Sequence, residues 1–106
     1  MALKREHGDN EVKGLCKLAI NEELTIYVID SLKQALTEEI AGCDRFELHL
    51  GDVEEIDSAG IQLLLALRDE LMRKKKELKL TGMSAVVSKL MNDYGVSDRF
   101  NIGDAA

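Results

Sequence analysis

The chain has 106 residues, the length of a single domain, and 45% of them are hydrophobic, enough for one ordinary core. Aromatic residues make up only 4%, so that core is built mainly from Leu, Ile, Val and Ala. A net charge of −6 argues against a general nucleic-acid binder, whose phosphate contacts need an excess of Lys and Arg.

Met1-Ala2-Leu3-Lys4-Arg5-Glu6-His7 has no apolar core and does not read as a signal peptide. Gly8-Asp9-Asn10 and Lys13-Gly14 read as turns, with a weak signal for a short strand between or before them. Leu15-Cys16-Lys17-Leu18-Ala19-Ile20 reads as a strand with little alternation, which suits an inner position in a sheet. Asn21-Glu22-Glu23 breaks it. A helix is expected to start near Leu24 or Thr25 and to run to about Ile40. Thr25 is its candidate N-cap, with Val28 three residues on and therefore no capping box. Ile29, Leu32, Leu36 and Ile40 fall on one stripe, and Ala41-Gly42 ends the helix.

Arg45-Phe46-Glu47-Leu48-His49-Leu50 alternates cleanly, with Phe46, Leu48 and Leu50 on the core side and His49 on the other. An acidic loop follows. A second helix is expected over residues 58–75, apolar on more than one face through Ile61, Leu64, Leu65, Leu67 and Leu71, and hence the best buried. Glu77-Leu78-Lys79-Leu80-Thr81 is another strand, turned by Gly82. Ser84 caps a third helix striped by Val87, Leu90, Met91 and Tyr94 and stopped by Gly95. A last short strand lies around Phe100, and Gly103-Asp104-Ala105-Ala106 reads as a frayed tail. Strands alternating with helices argue for an α/β layer with a mainly parallel sheet. The longest apolar run in the middle of the chain, residues 63–67, is too short to span a bilayer. No membrane insertion is expected, and the chain reads as soluble and cytoplasmic.

Nucleotide loops of the G-x-G-x-x-G and G-x-x-x-x-G-K-[ST] kinds are missing, as is a G-x-S-x-G elbow. His7 and His49 match no metal or triad spacing, and His49 reads as a partly exposed strand residue. Cys16 and Cys43 lie far apart in the chain beside apolar residues and match no metal or redox spacing, so each reads as a small buried hydrophobe. Asp52, Glu54, Glu55 and Asp57 do not fit the twelve-residue calcium loop and read as a solvated acidic segment. Arg73-Lys74-Lys75-Lys76 reads as a solvated helix C-terminus, where positive charge is favourable. No catalytic residue, metal ligand or cofactor emerges from these patterns.

Ser58 stands out. It reads as an N-cap or first-turn residue, where a helix presents unpaired N–H groups and the positive end of its dipole. A phosphate is favoured at such a spot. Here it would meet helix N–H groups on one side and the acidic segment on the other, leaving a net effect on the fold of roughly 1 kcal/mol or less. A partner docked against Ser58 would feel the added charge in full. Gly60, two residues on, reads as a position chosen so that the helix can approach the sheet or a partner closely.

The succession of strand, Glu22-Glu23-Leu24-Thr25, helix and strand leads into Val53-Glu54-Glu55-Ile56-Asp57-Ser58-Ala59-Gly60-Ile61-Gln62-Leu63-Leu64-Leu65. Together with Leu78-Lys79-Leu80-Thr81-Gly82-Met83-Ser84 and the ending from Tyr94-Gly95-Val96 to Phe100, it resembles a STAS domain over about residues 15–102. This module is shared by sulfate transporters and bacterial anti-sigma factor antagonists. The Asp-Ser-x-Gly segment at residues 57–60 is the specific part. The resemblance implies one domain over residues 1–106, with a four-to-five-stranded, mostly parallel sheet and helices mainly on one face. It also implies a partner-binding protein, not an enzyme. In the antagonist branch the serine after the Asp is phosphorylated by a serine kinase that is also the anti-sigma factor. Ser58 is then the phosphoacceptor, with Asp57, Ser58, Gly60 and Gln62 at the partner face. The unphosphorylated form would bind the kinase and release a sigma factor, and a phosphatase would reset it. Ala59 stands where many antagonists have a second Ser, and Glu22-Glu23-Leu24-Thr25 where many have Gly-Glu-Leu-Asp. The Glu-Leu-Thr-Ile-Tyr variant is similar to small STAS proteins of chemotaxis or phospholipid-transport systems. That implies an alternative: an adaptor that docks a chemotaxis protein or transporter ATPase without phosphorylation.

Overall fold

Phe46, Leu48 and Leu50 recur at every second residue after Arg45, and this alternation sets the architecture. The computed structural model describes residues 3–5 and 15–103; His7, the turns expected at Gly8-Asp9-Asn10 and Lys13-Gly14, and the tail after Gly103 lie outside the described residues. In chain order the elements are β1 (Leu3–Arg5), β2 (Leu15–Ile20), β3 (Glu22–Leu24), α1 (Ile29–Ile40), β4 (Arg45–His49), β5 (Val53–Ile56), α2 (Ser58–Arg73), β6 (Glu77–Thr81), α3 (Ala85–Asp93), a short 3-10 turn (Ser97–Arg99) and β7 (Asn101–Gly103).

The main sheet has the order β1-β2-β4-β6-β7, with β1 antiparallel to β2 and the other four strands parallel. Residues in register share a face. Cys16, Phe46 and Leu78 form one apolar row, and Leu18, Leu48, Leu80 and Ile102 form the next. The opposite face carries Lys17, Glu47 and Lys79 in register, so neighbouring strands present opposite charges there. Each parallel neighbour is reached by a helical crossover that always steps the same way across the sheet. Because such crossovers are right-handed, α1, α2 and α3 fall on the same side. Burial agrees: Leu32, Leu36 and Ile40 of α1, five Leu and Ile side chains of α2, and Val87 and Met91 of α3 join the apolar rows in one core. Each such side chain contributes roughly 1.5–3 kcal/mol by leaving water.

Several expectations need correction. Glu22-Glu23-Leu24 does not simply break the preceding strand; it forms β3, which pairs in parallel with β5 inside the supposed acidic loop. Leu24 is drawn fully inside, so α1 starts at Ile29 instead of Leu24 or Thr25, behind Val28, which makes no side-chain cap. Thr25 is no N-cap: it is buried, and its hydroxyl has no partner. Tyr94 ends α3 as its C-cap and is half exposed instead of completing the buried stripe. Cys16 and Cys43 are buried, but they are not separate. They are joined in a disulfide with Cα atoms 6.0 Å apart. Parallel pairing explains the meeting, since Cys16 is in register with Phe46 and Cys43 enters that same strand.

Other features follow the residues as read. Ser84 caps α3, its Oγ accepting from the Val87 N–H at 3.4 Å. Gly95 takes φ +67° beyond its end. At the far end of α2, Arg73 and Lys74 pair with Glu70, while Lys76 Nζ donates to the Ile40 carbonyl at the end of α1. Among the described residues no helix is long and apolar enough to cross a membrane.

Candidate functional site

The start of α2 is built around Asp57. This residue is extended, with φ −128° and ψ −173°, the conformation an N-cap requires. Its Oδ1 accepts from the Gly60 N–H at 3.2 Å. Its Oδ2 accepts from the Ile26 N–H at 3.0 Å, across the gap to the connection between β3 and α1. Its own N–H donates to the Leu24 carbonyl at 3.4 Å. One carboxylate thus caps the helix and ties a neighbouring loop to it.

Ser58 is therefore the first helical residue and not the cap. It is exposed, and its hydroxyl makes no hydrogen bond within the described residues. Gln62, one turn further, is exposed on the same side, as are Ala66 and Asp69, so an uncovered stripe runs along the helix from Ser58. Ile61, Leu64 and Leu71 face the core behind it. Gly60, expected at the partner face, is buried instead. A Cβ there would collide with the Leu24 carbonyl oxygen and crowd Ile56, so this glycine serves the close approach of α2 to β3 and β5.

The acidic segment lies alongside. Glu54 and Glu55 are exposed on β5, and Glu23 of β3 stands directly opposite Glu55. A phosphate on Ser58 would have unpaired helix N–H groups ahead of it and carboxylates beside it. Among the described residues no group of three or more His, Cys, Asp and Glu converges as metal ligands. His49 sits at the end of β4 on the face away from the core, packed over Gly51 and Gly82, where added Cβ atoms would strike its ring.

Sequence reasoning missed Ile26 and Tyr27. Read as the opening turn of a helix, they instead form an exposed loop tip held beside Ser58 by Asp57. The only local hint was two apolar residues next to each other ahead of a helix with no good cap.

A mostly parallel sheet with its helices on one side leaves the serine at the start of α2 facing solvent. The chain belongs to the STAS domain family: residues 8–102 match the family model described as Mlab, STAS domain. STAS domain proteins are regulatory and binding modules. No curated protein sequence matches the chain. Solved structures share its fold at low identity. An anti-sigma factor antagonist from Mycobacterium paratuberculosis is 18% identical with a TM-score of 0.79, over 94% of this chain and 84% of that one. The Bacillus cell fate determinant SpoIIAA in its phosphorylated form is 17% identical with a TM-score of 0.74, over 99% and 92%. A sulfate transporter family protein from Wolinella succinogenes is 21% identical with a TM-score of 0.70, over 94% and 89%.

Proposed function

We propose that this chain is a regulatory module of the anti-sigma factor antagonist kind, docking a protein partner by the start of α2 and switched by phosphorylation of Ser58. The observation that carries this reading is the division of labour between Asp57 and Ser58. Asp57 caps the helix, so the Ser58 hydroxyl is exposed and not committed to holding the fold. Phosphorylation there need not break a structural contact.

In the reaction, the Ser58 oxygen attacks the γ-phosphorus of ATP held by a serine kinase. The bond to ADP breaks, and the hydroxyl proton passes to a base on the kinase. The product carries roughly −1.5 to −2 charge at neutral pH. Within the chain, helix N–H groups and neighbouring carboxylates pull in opposite directions, so the fold changes little. In a docked complex the same charge must be desolvated at the interface, so binding changes a great deal. Asp57 and Gln62 flank the acceptor, and Gly60 keeps the helix start close to the sheet. An ATP-dependent kinase partner implies the cytoplasm, a reducing compartment in which Cys16 and Cys43 would stand as thiols.

The test is incubation with an anti-sigma-type serine kinase and labelled ATP. Label is expected on Ser58 and not on the Ser58→Ala variant. Ser58→Asp is expected to weaken partner binding by about tenfold or more. A second reading draws on Glu22-Glu23-Leu24-Thr25 standing where many antagonists have Gly-Glu-Leu-Asp. It makes the chain a constitutive adaptor in a chemotaxis or ABC-type lipid-transport system, docking by the same face. Absence of label, with Ser58→Asp binding as tightly as the unaltered chain, would favour the adaptor.

A further inference from the structure

We propose that Ile26 and Tyr27 are the apolar anchor of the docking face, and that they enter an apolar pocket bordered by lysine and arginine side chains on a partner protein. The proposal rests on the reading above for the position of the face, and not on phosphorylation.

Three observations lead there. The first is exposure. Ile26 is 67% exposed and Tyr27 is 89% exposed. The other exposed large hydrophobic residues among those described, Met72, Val86, Tyr94 and Ile102, stand singly along the chain, and only these two are adjacent. An isolated exposed apolar residue is ordinary, whereas a contiguous pair with an aromatic member is the composition of an interface centre.

The second is preorganisation. The residues before the tip, Leu24 and Thr25, are buried, and Val28 after it packs against the core. The turn closes by a hydrogen bond from the Val28 N–H to the Thr25 carbonyl at 3.0 Å. The Ile26 N–H is held by the same carboxylate that caps α2, in the residue next to Ser58. A tip fixed in this way loses little freedom when a partner closes over it.

The third is charge. Asp30 and the pair Glu54 and Glu55 are exposed on the two elements that lead from the tip and into the helix start, α1 and β5, and Asp57 is half-buried where tip and helix are tied. Glu23 and Glu55 stand opposite each other in register, an arrangement that disfavours the sheet by itself. Among the described residues, Lys89 of α3 lines a groove with Glu54 and Glu55 but is paired with Asp93 at 3.0 Å, and Lys33 follows Asp30 by three residues on α1. A basic partner relieves this repulsion and is steered by it. A second copy meeting the same face brings the same acidic rim and another net charge of −6, and an anionic membrane is repelled likewise.

The test uses the full chain carrying a benzophenone photo-crosslinker at residue 27 or, as a control, at residue 72, which lies about 20 Å along α2 from Ser58. Irradiation in cells is followed by mass spectrometry, and the protein crosslinked from residue 27 but not from 72 is purified. Its affinity is measured against the unaltered chain and against Tyr27→Ser, Ile26→Ser, Met72→Ser and Ser58→Asp. Expected results are a loss of about tenfold or more for Tyr27→Ser, a smaller loss for Ile26→Ser and no change for Met72→Ser. Affinity should also fall as salt is raised. The anchor is overturned by an absence of any crosslink from residue 27, by a crosslink only to a second copy of this chain, or by Tyr27→Ser binding at full strength. Affinity indifferent to salt overturns the basic rim. If Ser58→Asp weakens binding and Tyr27→Ser does not, the anchor fails and the switch stands. If Tyr27→Ser weakens binding while Ser58→Asp does not and no label appears, the switch fails and the anchor stands.

Discussion

Each oxygen of the Asp57 carboxylate has its own backbone donor, Gly60 for one and Ile26 for the other. Removing the side chain would leave two N–H groups without that acceptor, one in the first turn of α2 and one in the loop tip. Asp57→Ala is therefore expected to destabilise the chain by about 1–2 kcal/mol in urea unfolding, with hydrogen exchange at Ile26 speeded. Asp57→Asn should recover part of this, since an amide oxygen can serve one of the donors. Ser58→Ala in the same experiment should stay within about 0.5 kcal/mol of the unaltered chain, because that hydroxyl holds nothing. The sequence located the helix start and left Ser58 as either cap or first-turn residue. Both Asp and Ser are good N-caps, and local pattern cannot choose between neighbours. The choice fell to Asp57 because the same side chain also reaches a loop about thirty residues earlier in the chain.

At the scale of elements, the β3·β5 pair determines the shape of the site. It pulls Leu24 inside, delays α1 to Ile29, and leaves Ile26 and Tyr27 outside. It also sets Glu23 against Glu55. Glu23→Lys would replace two like charges in register with an opposite pair and is expected to stabilise the chain by about 0.5 kcal/mol in thermal or urea unfolding, with the gain shrinking at high salt. If the acidic rim receives a basic partner, the same change should weaken docking while it strengthens the fold. The long elements were legible: the start of α2, the limits of β6 and the cap of α3 fall where hydrophobic period, glycine and serine put them, while α2 ends at Arg73, two residues short of the expected 75. The short pair was not. Glu22–Leu24 has three residues, too few for a period, and Val53–Ile56 is masked by its own carboxylates. Strand formation at such lengths depends on the partner strand more than on propensity.

At the scale of the whole molecule, sequential parallel strands and right-handed crossovers place all three helices on one face and gather the loops after β3 and β5 at the start of α2. The Cys16–Cys43 disulfide staples the beginning of β2 to the entry of β4 across 27 residues of chain. Cross-linking a loop of that length restricts the unfolded chain by about 3–4 kcal/mol on the loop-entropy account. Reduction with a thiol is expected to lower the urea midpoint accordingly, while the Cys16→Ala/Cys43→Ala double variant should show no response to reductant. Amino-acid order alone determined the α/β class, the apolar rows of the sheet, the stripes of the helices and the serine at a helix start, because each of these is written in neighbours within about one turn or two strand residues. Tertiary structure decided which residue caps α2, that Cys16 and Cys43 meet, that Gly60 is buried, and that Ile26 and Tyr27 stand beside Ser58. Each of those depends on a contact between distant parts of the chain, whose energy exists only once the sheet has brought the two sides together.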